Sequence, residues 1–211
     1  MKLNTDKSKY MIFNFTDNHQ FNTRLSLENN VLEQVSEKSL LGVVINDRLT
    51  WDSNTDFIVK KAYKRMIILH NLFKFGLPVD ELVQIYILYI RSLVENSAVV
   101  WHSSLKMAEI KAIERVQKVA LKIILKEDFV NYNHALKISG LPSLYERRTI
   151  LCKKFAVNCI RNEKTGHIFP MNMLRTLVNT RYPEKFFVQP ARTERLKKSA
   201  IPYMQRLLNL M

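Results

Sequence analysis

The sequence predicts an α+β protein that is predominantly α, with a small antiparallel strand region over about 9–45 followed by a helical bundle. Three observations carry that expectation. The 211 residues include only 4 Gly and 6 Pro, with a hydrophobic fraction of 47%, so a sizeable core can form and helix breakers are scarce. β-Formers concentrate before residue 45, and apolar positions recur at helical spacing after Trp51. This composition excludes a disordered tail or a low-complexity linker, and the length allows one domain or one and a half at ~100–200 residues each.

The elements follow in order. Lys9 to Phe15 is rich in β-formers, and Arg24–Leu27 and Val31–Val35 flank a Glu28-Asn29-Asn30 turn, which predicts a hairpin. Ser39 to Ile45 reads as one continuous apolar strand, in which Gly42 marks a bulge or a close backbone approach. A long helix starts at Asp52 or Ser53 and runs to about Phe75, with Gly76 as its stop. Pro78 opens the next, whose Asp80 and Glu81 suit the positive end of its dipole and which runs to about Glu95, apolar nearly all round. A third long helix spans about Lys106 to Lys126, and a short one at 131–138 ends at Gly140. Ser143 then caps a helix reaching about Asn162. Residues 163–192 carry Gly166, Pro170, Pro183 and Pro190 and read as irregular, with one helix near 171–178, and a last helix follows Pro202.

Charge is unevenly placed. Lys2, Lys7, Lys9, Arg24, Lys38 and Arg48 balance Asp6, Asp17, Glu28, Glu33, Glu37 and Asp47, so the whole formal +14 belongs to residues 51–211. Such a surplus favours phosphate-bearing partners, because Lys and Arg displace condensed counterions. On the third long helix, Lys111, Arg115, Lys118, Lys122 and Lys126 fall in a sector of about 80° at ~100° per residue. The plain alternative is a solvated face supported by an i,i+4 pair between Glu114 and Lys118. Lys60, Lys61, Lys64 and Arg65 form a second cluster, and Arg192, Arg195, Lys197 and Lys198 a third. Three clusters support nucleic-acid binding without sequence readout.

Catalytic patterns are absent from the sequence. His19, His70, His102, His134 and His167 lie far apart, no P-loop or GxGxxG occurs, and no metal site is expected. Cys152 and Cys159, with no second pair, read as buried reduced thiols of an intracellular protein, nuclear or cytoplasmic. Met1 to Asp6 has no apolar signal core, and the longest apolar run, Leu82–Val94, falls short of the ~20 residues that span a bilayer, so no membrane partner is expected.

Ordered motifs carry a family resemblance. Ser39 to Lys74 reads SLLGVVINDRLTWDSNTDFIVKKAYKRMIILHNLFK. It is followed by Ile85-Tyr86 through Arg91, Val100-Trp101-His102, Ile113-Glu114-Arg115-Val116-Gln117-Lys118, Leu141-Pro142-Ser143-Leu144 with Glu146-Arg147-Arg148, and a tail from Thr193-Glu194-Arg195 to Leu207-Leu208-Asn209. The series resembles the palm-to-thumb passage and C-terminal region of non-LTR (LINE-type) retrotransposon reverse transcriptases, and covers nearly the whole chain.

That resemblance implies a partial palm over 1–50, a helical thumb and connection over 51–162, and an irregular basic C-terminal segment with a short helix over 163–211. It implies an RNA-directed DNA polymerase fragment whose partner is an RNA/DNA template–primer duplex. Leu40, Leu41 and Gly42 match the primer-grip hairpin, and Lys7 matches a lysine on the pyrophosphate side. Phosphate contact is expected from Lys60, Lys61, Lys64, Arg65, Lys111, Arg115, Lys118 and Lys122. The F/Y-x-D-D turn occurs nowhere in this sequence, so no cofactor is expected here and Mg²⁺ belongs to the full-length family enzyme. Two other readings stay open at this point: a decayed transposon relic without activity, and a basic helical interaction protein.

Overall fold

The computed structural model describes residues 4, 8–15, 24–27, 30–172 and 185–210. Over these residues the chain is predominantly helical, and it divides into two compact units, Met1–Phe57 and Ile58–Met211. Lys7, His19 and most of the expected helix at 171–178 lie outside the described residues.

In the first unit the strands are short and pair two by two. β2 (Ser26–Leu27) and β3 (Asn30–Val31) form the expected antiparallel hairpin. β1 (Lys9–Tyr10) does not extend to Phe15, and it pairs parallel, not antiparallel, with β4 (Glu33–Gln34). A parallel pair needs a connection of a dozen or more residues, which the intervening chain supplies. Lys9 Nζ lies 2.6 Å from Glu33 Oε2 across that pair.

The Ser39–Ile45 run is likewise not one strand. β5 (Glu37–Leu40) and β6 (Val43–Asn46) are antiparallel, and Leu41-Gly42 is the two-residue turn between them. Both turn residues have positive φ, 51° at Leu41 and 84° at Gly42. Such a turn matches the twist of the strands, which explains Gly42 by local backbone geometry. Only β6 is anchored inward: Val43 and Val44 are buried, and Val44 N–H donates to the buried Asn54 Oδ1 at 3.1 Å. Between them, Asn46 Oδ1 accepts from Thr50 N–H (2.8 Å), and Thr50 Oγ1 donates to Asp52 Oδ1, setting the start of α1 (Asp52–Lys74).

The second unit takes in α1 from Ile58 onward. Ala62, Met66 and Leu69 bury one face of this helix, and Gly76 at φ 78° ends the passage. α2 (Val79–Ile85) opens after Pro78, but the expected single helix then widens into a π-helical turn, Tyr86–Arg91, before α3 (Ser92–Glu95). Leu82, Val83, Tyr86, Ile90 and Val94 are buried, whereas Leu88 is 73% exposed, so this helix is two-sided rather than apolar all round. Ser97, at φ 51°, breaks the chain before α4 (Ala98–Trp101).

α5 (Met107–Leu125), α6 (Tyr132–Ser139) and α7 (Leu144–Arg161) follow. α7 starts at Ser143, whose Oγ accepts from Glu146 N–H while the Glu146 carboxylate accepts from Ser143 N–H, a reciprocal cap. α8 (Glu194–Lys198) and α9 (Ala200–Asn209) close the chain, α9 starting two residues before Pro202 because a first-turn proline has no N–H to waste. Cys152, Ala156 and Cys159 on α7 pack with Met204, Leu207 and Leu208 on α9. The extended segment from Lys185 is stitched to α9 by Asn209, which accepts from Phe186 N–H (2.8 Å) and donates to Phe186 O (3.0 Å). Both thiols are free and buried, and burial pushes the Cys152 thiol up to about 11.

His102, 2% exposed, accepts at Nδ1 from Arg148 Nε (3.2 Å), which places its own proton on Nε2, facing Thr149 Oγ1 at 3.2 Å. Burial, reinforced by Arg148, lowers its pKa to about 3. The unfolded chain, with an ordinary value near 6.5, therefore holds one more proton between those limits. Stability is expected to fall as the pH drops below about 6, by up to about 1.4 kcal/mol per pH unit from this group. Chemical denaturation of His102→Gln and the parent across pH 4–7 checks this, with a flatter profile expected for the variant. A second outcome concerns the hairpin: Leu41→Asn, better suited to a positive φ, should stabilise the first unit by about 1 kcal/mol in urea unfolding.

Candidate nucleic-acid interface

The candidate interface rests on the two faces of α5. Ile113, Val116, Gln117, Ala120, Leu121 and Ile124 are buried, whereas Lys111, Arg115, Lys118 and Lys122 are all exposed. At ~100° per residue the cationic sector is centred roughly opposite the buried one, and over about 16 Å the four charges form a rail facing away from the core. The rail ends at Lys122. Lys126 leaves the helix at φ 45°, and its Nζ sits 5.8 Å from the Phe73 ring centroid. Lys122 Nζ lies 5.4 Å from the Phe129 ring centroid.

The acids of α5 do not neutralise the rail. Glu109 turns back to accept from Lys106 N–H at 2.6 Å, at the helix start. Glu114 does not pair with Lys118, as the spacing suggests. Its carboxylate accepts from Tyr145 N–H (2.6 Å), Leu144 N–H (3.3 Å) and the Tyr132 hydroxyl (2.7 Å). The unsatisfied amides and positive dipole end of α7 attract an anion more strongly than an exposed lysine does.

Gln117, fully buried, completes the junction. It accepts from the Tyr86 hydroxyl (2.7 Å) and donates to Tyr132 Oη (3.1 Å) and Pro142 O (2.9 Å). Burial first, then the Glu114 hydrogen bond, holds the Tyr132 phenol far above its ordinary pKa. Burial also raises Tyr86. Both hydroxyls therefore stay protonated donors.

The neighbouring charges are also structural. Glu95 Oε1 lies 3.1 Å from Arg91 Nε and 3.2 Å from Arg147 Nε. Arg148 is wholly buried with its guanidinium 5.7 Å from the Trp101 ring centroid. Its Nη1 and Nη2 hydrogen-bond to no protein group among the described residues. Burial lowers its pKa, and Glu114 and Glu95 oppose that shift.

The remaining sites separate into groups. Lys60, Lys61 and Lys64 are exposed on α1. Arg65 is half-buried: its guanidinium stacks 4.2 Å from the Tyr89 ring centroid and donates to Tyr89 O in the π-helical turn. Its angular position, close to the buried face of α1, accounts for that engagement, which takes its donors away from a phosphate. In the third cluster a single carboxylate, Glu194, lies 3.4 Å from Lys197 and 4.0 Å from Lys198 and so shares its one charge between two of the four cations. Leu40, Leu41 and Gly42 sit at the tip of the β5–β6 hairpin of the first unit, with Leu41 91% exposed.

Among the described residues no group of three or more His, Cys, Asp or Glu side chains is placed to hold a metal ion, and no helix is long and apolar enough to cross a membrane. The polar groups that sequence reading missed are Glu114, Gln117, His102 and Arg148. The available signal was positional: Glu114 lies at the edge of the apolar stripe of α5, and Gln117 and Arg148 lie within the buried stripes of α5 and α7. In comparisons with known proteins, no family model, no curated protein and no solved structure matches this chain.

Removing the Glu114 carboxylate strands two amides and a phenol. Glu114→Ala is expected to cost about 2–4 kcal/mol in thermal or urea unfolding, and Glu114→Gln, which keeps an acceptor, clearly less.

Proposed function

We propose that this chain is a C-terminal part of a non-LTR retrotransposon-type reverse transcriptase, and that it binds an RNA/DNA template–primer duplex through the cationic face of α5. The observation that carries this reading is the isolation of Lys111, Arg115, Lys118 and Lys122 on the outward side of α5, with both acids of the helix drawn away into amide contacts. A rail without interleaved carboxylates releases counterions from a polyphosphate backbone without first breaking ion pairs. The motif series supports the same reading from another side: Tyr86, Glu114, Gln117, Pro142 and Leu144, each in a different or shared motif of that family's order, meet in one polar junction.

In this reading residues 1–50 are the end of a palm, and Leu40-Leu41-Gly42 acts as a primer-grip-like tip. Lys7 takes the pyrophosphate side by resemblance alone. The catalytic aspartates and their Mg²⁺ belong to the full-length family enzyme, so this chain contributes grip and not phosphoryl transfer. Binding is sequence-tolerant, because backbone contacts position a duplex and carry no base readout. The reading places the protein inside the cell, in nucleus or cytoplasm, where such a duplex is found.

The test is a salt titration of binding to an RNA–DNA hybrid. Four neutralised phosphates give a slope of log K against log salt of about −3 to −4. Each exposed Lys or Arg changed to Gln should lower the slope by about 0.9, and the quadruple variant should bind poorly while melting like the parent. Absence of salt-dependent affinity, or a quadruple variant with the parental slope, overturns the assignment.

A further inference from the structure

The C-terminal end of the α5 rail differs from the rest of it. Lys126, at φ 45° and ψ −101°, holds a backbone conformation that is strained for any residue with a Cβ. It opens a 3₁₀ turn, Lys126–Asp128, in which Phe129 N–H donates to Lys126 O at 3.3 Å. Phe129 is thereby folded back against the preceding turn of α5, where Lys122 Nζ stands 5.4 Å from its ring centroid. The last cation of the rail and a half-buried phenyl ring thus share one place. Among the described residues Lys111, Arg115 and Lys118 stand over no ring. Beyond this point the character of the surface changes. Lys126 Nζ lies between Glu127 Oε1 (3.9 Å) and the Phe73 ring, and Glu127 and Asp128 are both exposed.

This end selects the form of the nucleic acid. A duplex lying along the rail presents phosphates on its flank and keeps its base faces inside the stack, so it offers nothing to a phenyl ring. An unpaired nucleotide at the duplex end carries both a phosphate for an ammonium group and a π-face for a ring. A charge-assisted bond from ammonium to phosphate is stronger than an ammonium over an exposed phenyl ring. Lys122 therefore exchanges the ring for the phosphate, and the base covers the ring in its place. Glu127 and Asp128 repel the phosphates that would follow, which limits the unpaired stretch held here to about one or two nucleotides.

Resting on the duplex-binding reading of α5, we propose that Phe129 is the stacking platform for the first unpaired base at the end of the bound duplex, with Lys122 on that nucleotide's phosphate. The ligand of the rail is then a hybrid with a short single-stranded overhang, not a blunt one. Binding stays tolerant of base identity, because every base has a π-face. The strained turn at Lys126 has a role in this arrangement, since it brings the ring back beside the last cation.

The experiment titrates the full chain with one RNA–DNA hybrid that is blunt, or carries a two-nucleotide overhang on the RNA strand or on the DNA strand. The better-bound overhang is also made with abasic residues. One overhang should bind about tenfold more tightly than the blunt form, and its abasic counterpart should fall back to the blunt value. Phe129→Leu should remove the gain and Phe129→Tyr keep it, both with the parental salt slope on the blunt hybrid. Equal affinity for the blunt and both overhanging forms, with the salt slope present, overturns this inference and leaves the duplex reading standing. An abasic overhang that keeps the gain assigns it to phosphate alone and overturns the stacking role. That comparison uses the parent chain, so it holds however the Phe129 variants fold. Absence of salt-dependent affinity for every form overturns both readings.

Discussion

The contact on which the second unit depends is a carboxylate placed on two amides. Glu114 reaches from the middle of α5 to the first N–H groups of α7, and the Tyr132 hydroxyl from α6 shares the same oxygens. Three helices are thereby tied at one point by hydrogen bonds to a charged acceptor, the stronger kind. Gln117, three residues on, adds α2's continuation through Tyr86 and the α6–α7 connection through Pro142. Glu114 leaves α5 on its flank and Gln117 from its buried face, so the junction fixes the rotation of the helix about its own axis. That rotation turns the cations outward.

Burying so much polarity is costly, and the structure offsets the cost pair by pair. Gln117 uses its acceptor and both donors, so no part of its amide is stranded. Arg148 is the largest departure from this among the described residues, where Ser103 Oγ also lacks a partner. Arg148 gives one donor to His102 and lays its plane near Trp101, while Glu95 and Glu114 provide longer-range compensation. A neutral imidazole is the required acceptor, and the same burial that keeps His102 neutral keeps that bond. Acid therefore attacks the core at His102 before it reaches the apolar contacts around it.

Helix starts and stops were legible because they depend on neighbours in sequence. Ser143 with Glu146, Gly76 and Gly140 act within one turn, and each does in the structure what its type and spacing imply. The strand region was less legible. Leu41-Gly42 passes for strand interior in an apolar run, and only the pairing of Glu37–Leu40 with Val43–Asn46 makes it a turn. The π-helical turn is hidden for the same reason, since Arg65, more than twenty residues earlier, supplies a donor to the Tyr89 carbonyl. Glu114 was misread as a partner of Lys118 because helix spacing lists local neighbours, and the N-terminus of α7 is not among them.

The amino-acid sequence by itself determined the helical class, the order of the elements, the unequal charge of residues 51–211 and the angular sector of cations on α5. All of these follow from composition and from the 3.6-residue period. Tertiary structure alone decided which charges are spent and which are left. Glu114, Glu109, Arg65, Arg147 and Arg148 all find partners inside the protein, whereas Lys111, Arg115 and Lys118 meet no carboxylate among the described residues. The reason is physical: a charge goes where unsatisfied amides, carbonyls or opposite charges lie within about 3 Å, and chain neighbours supply only some of them.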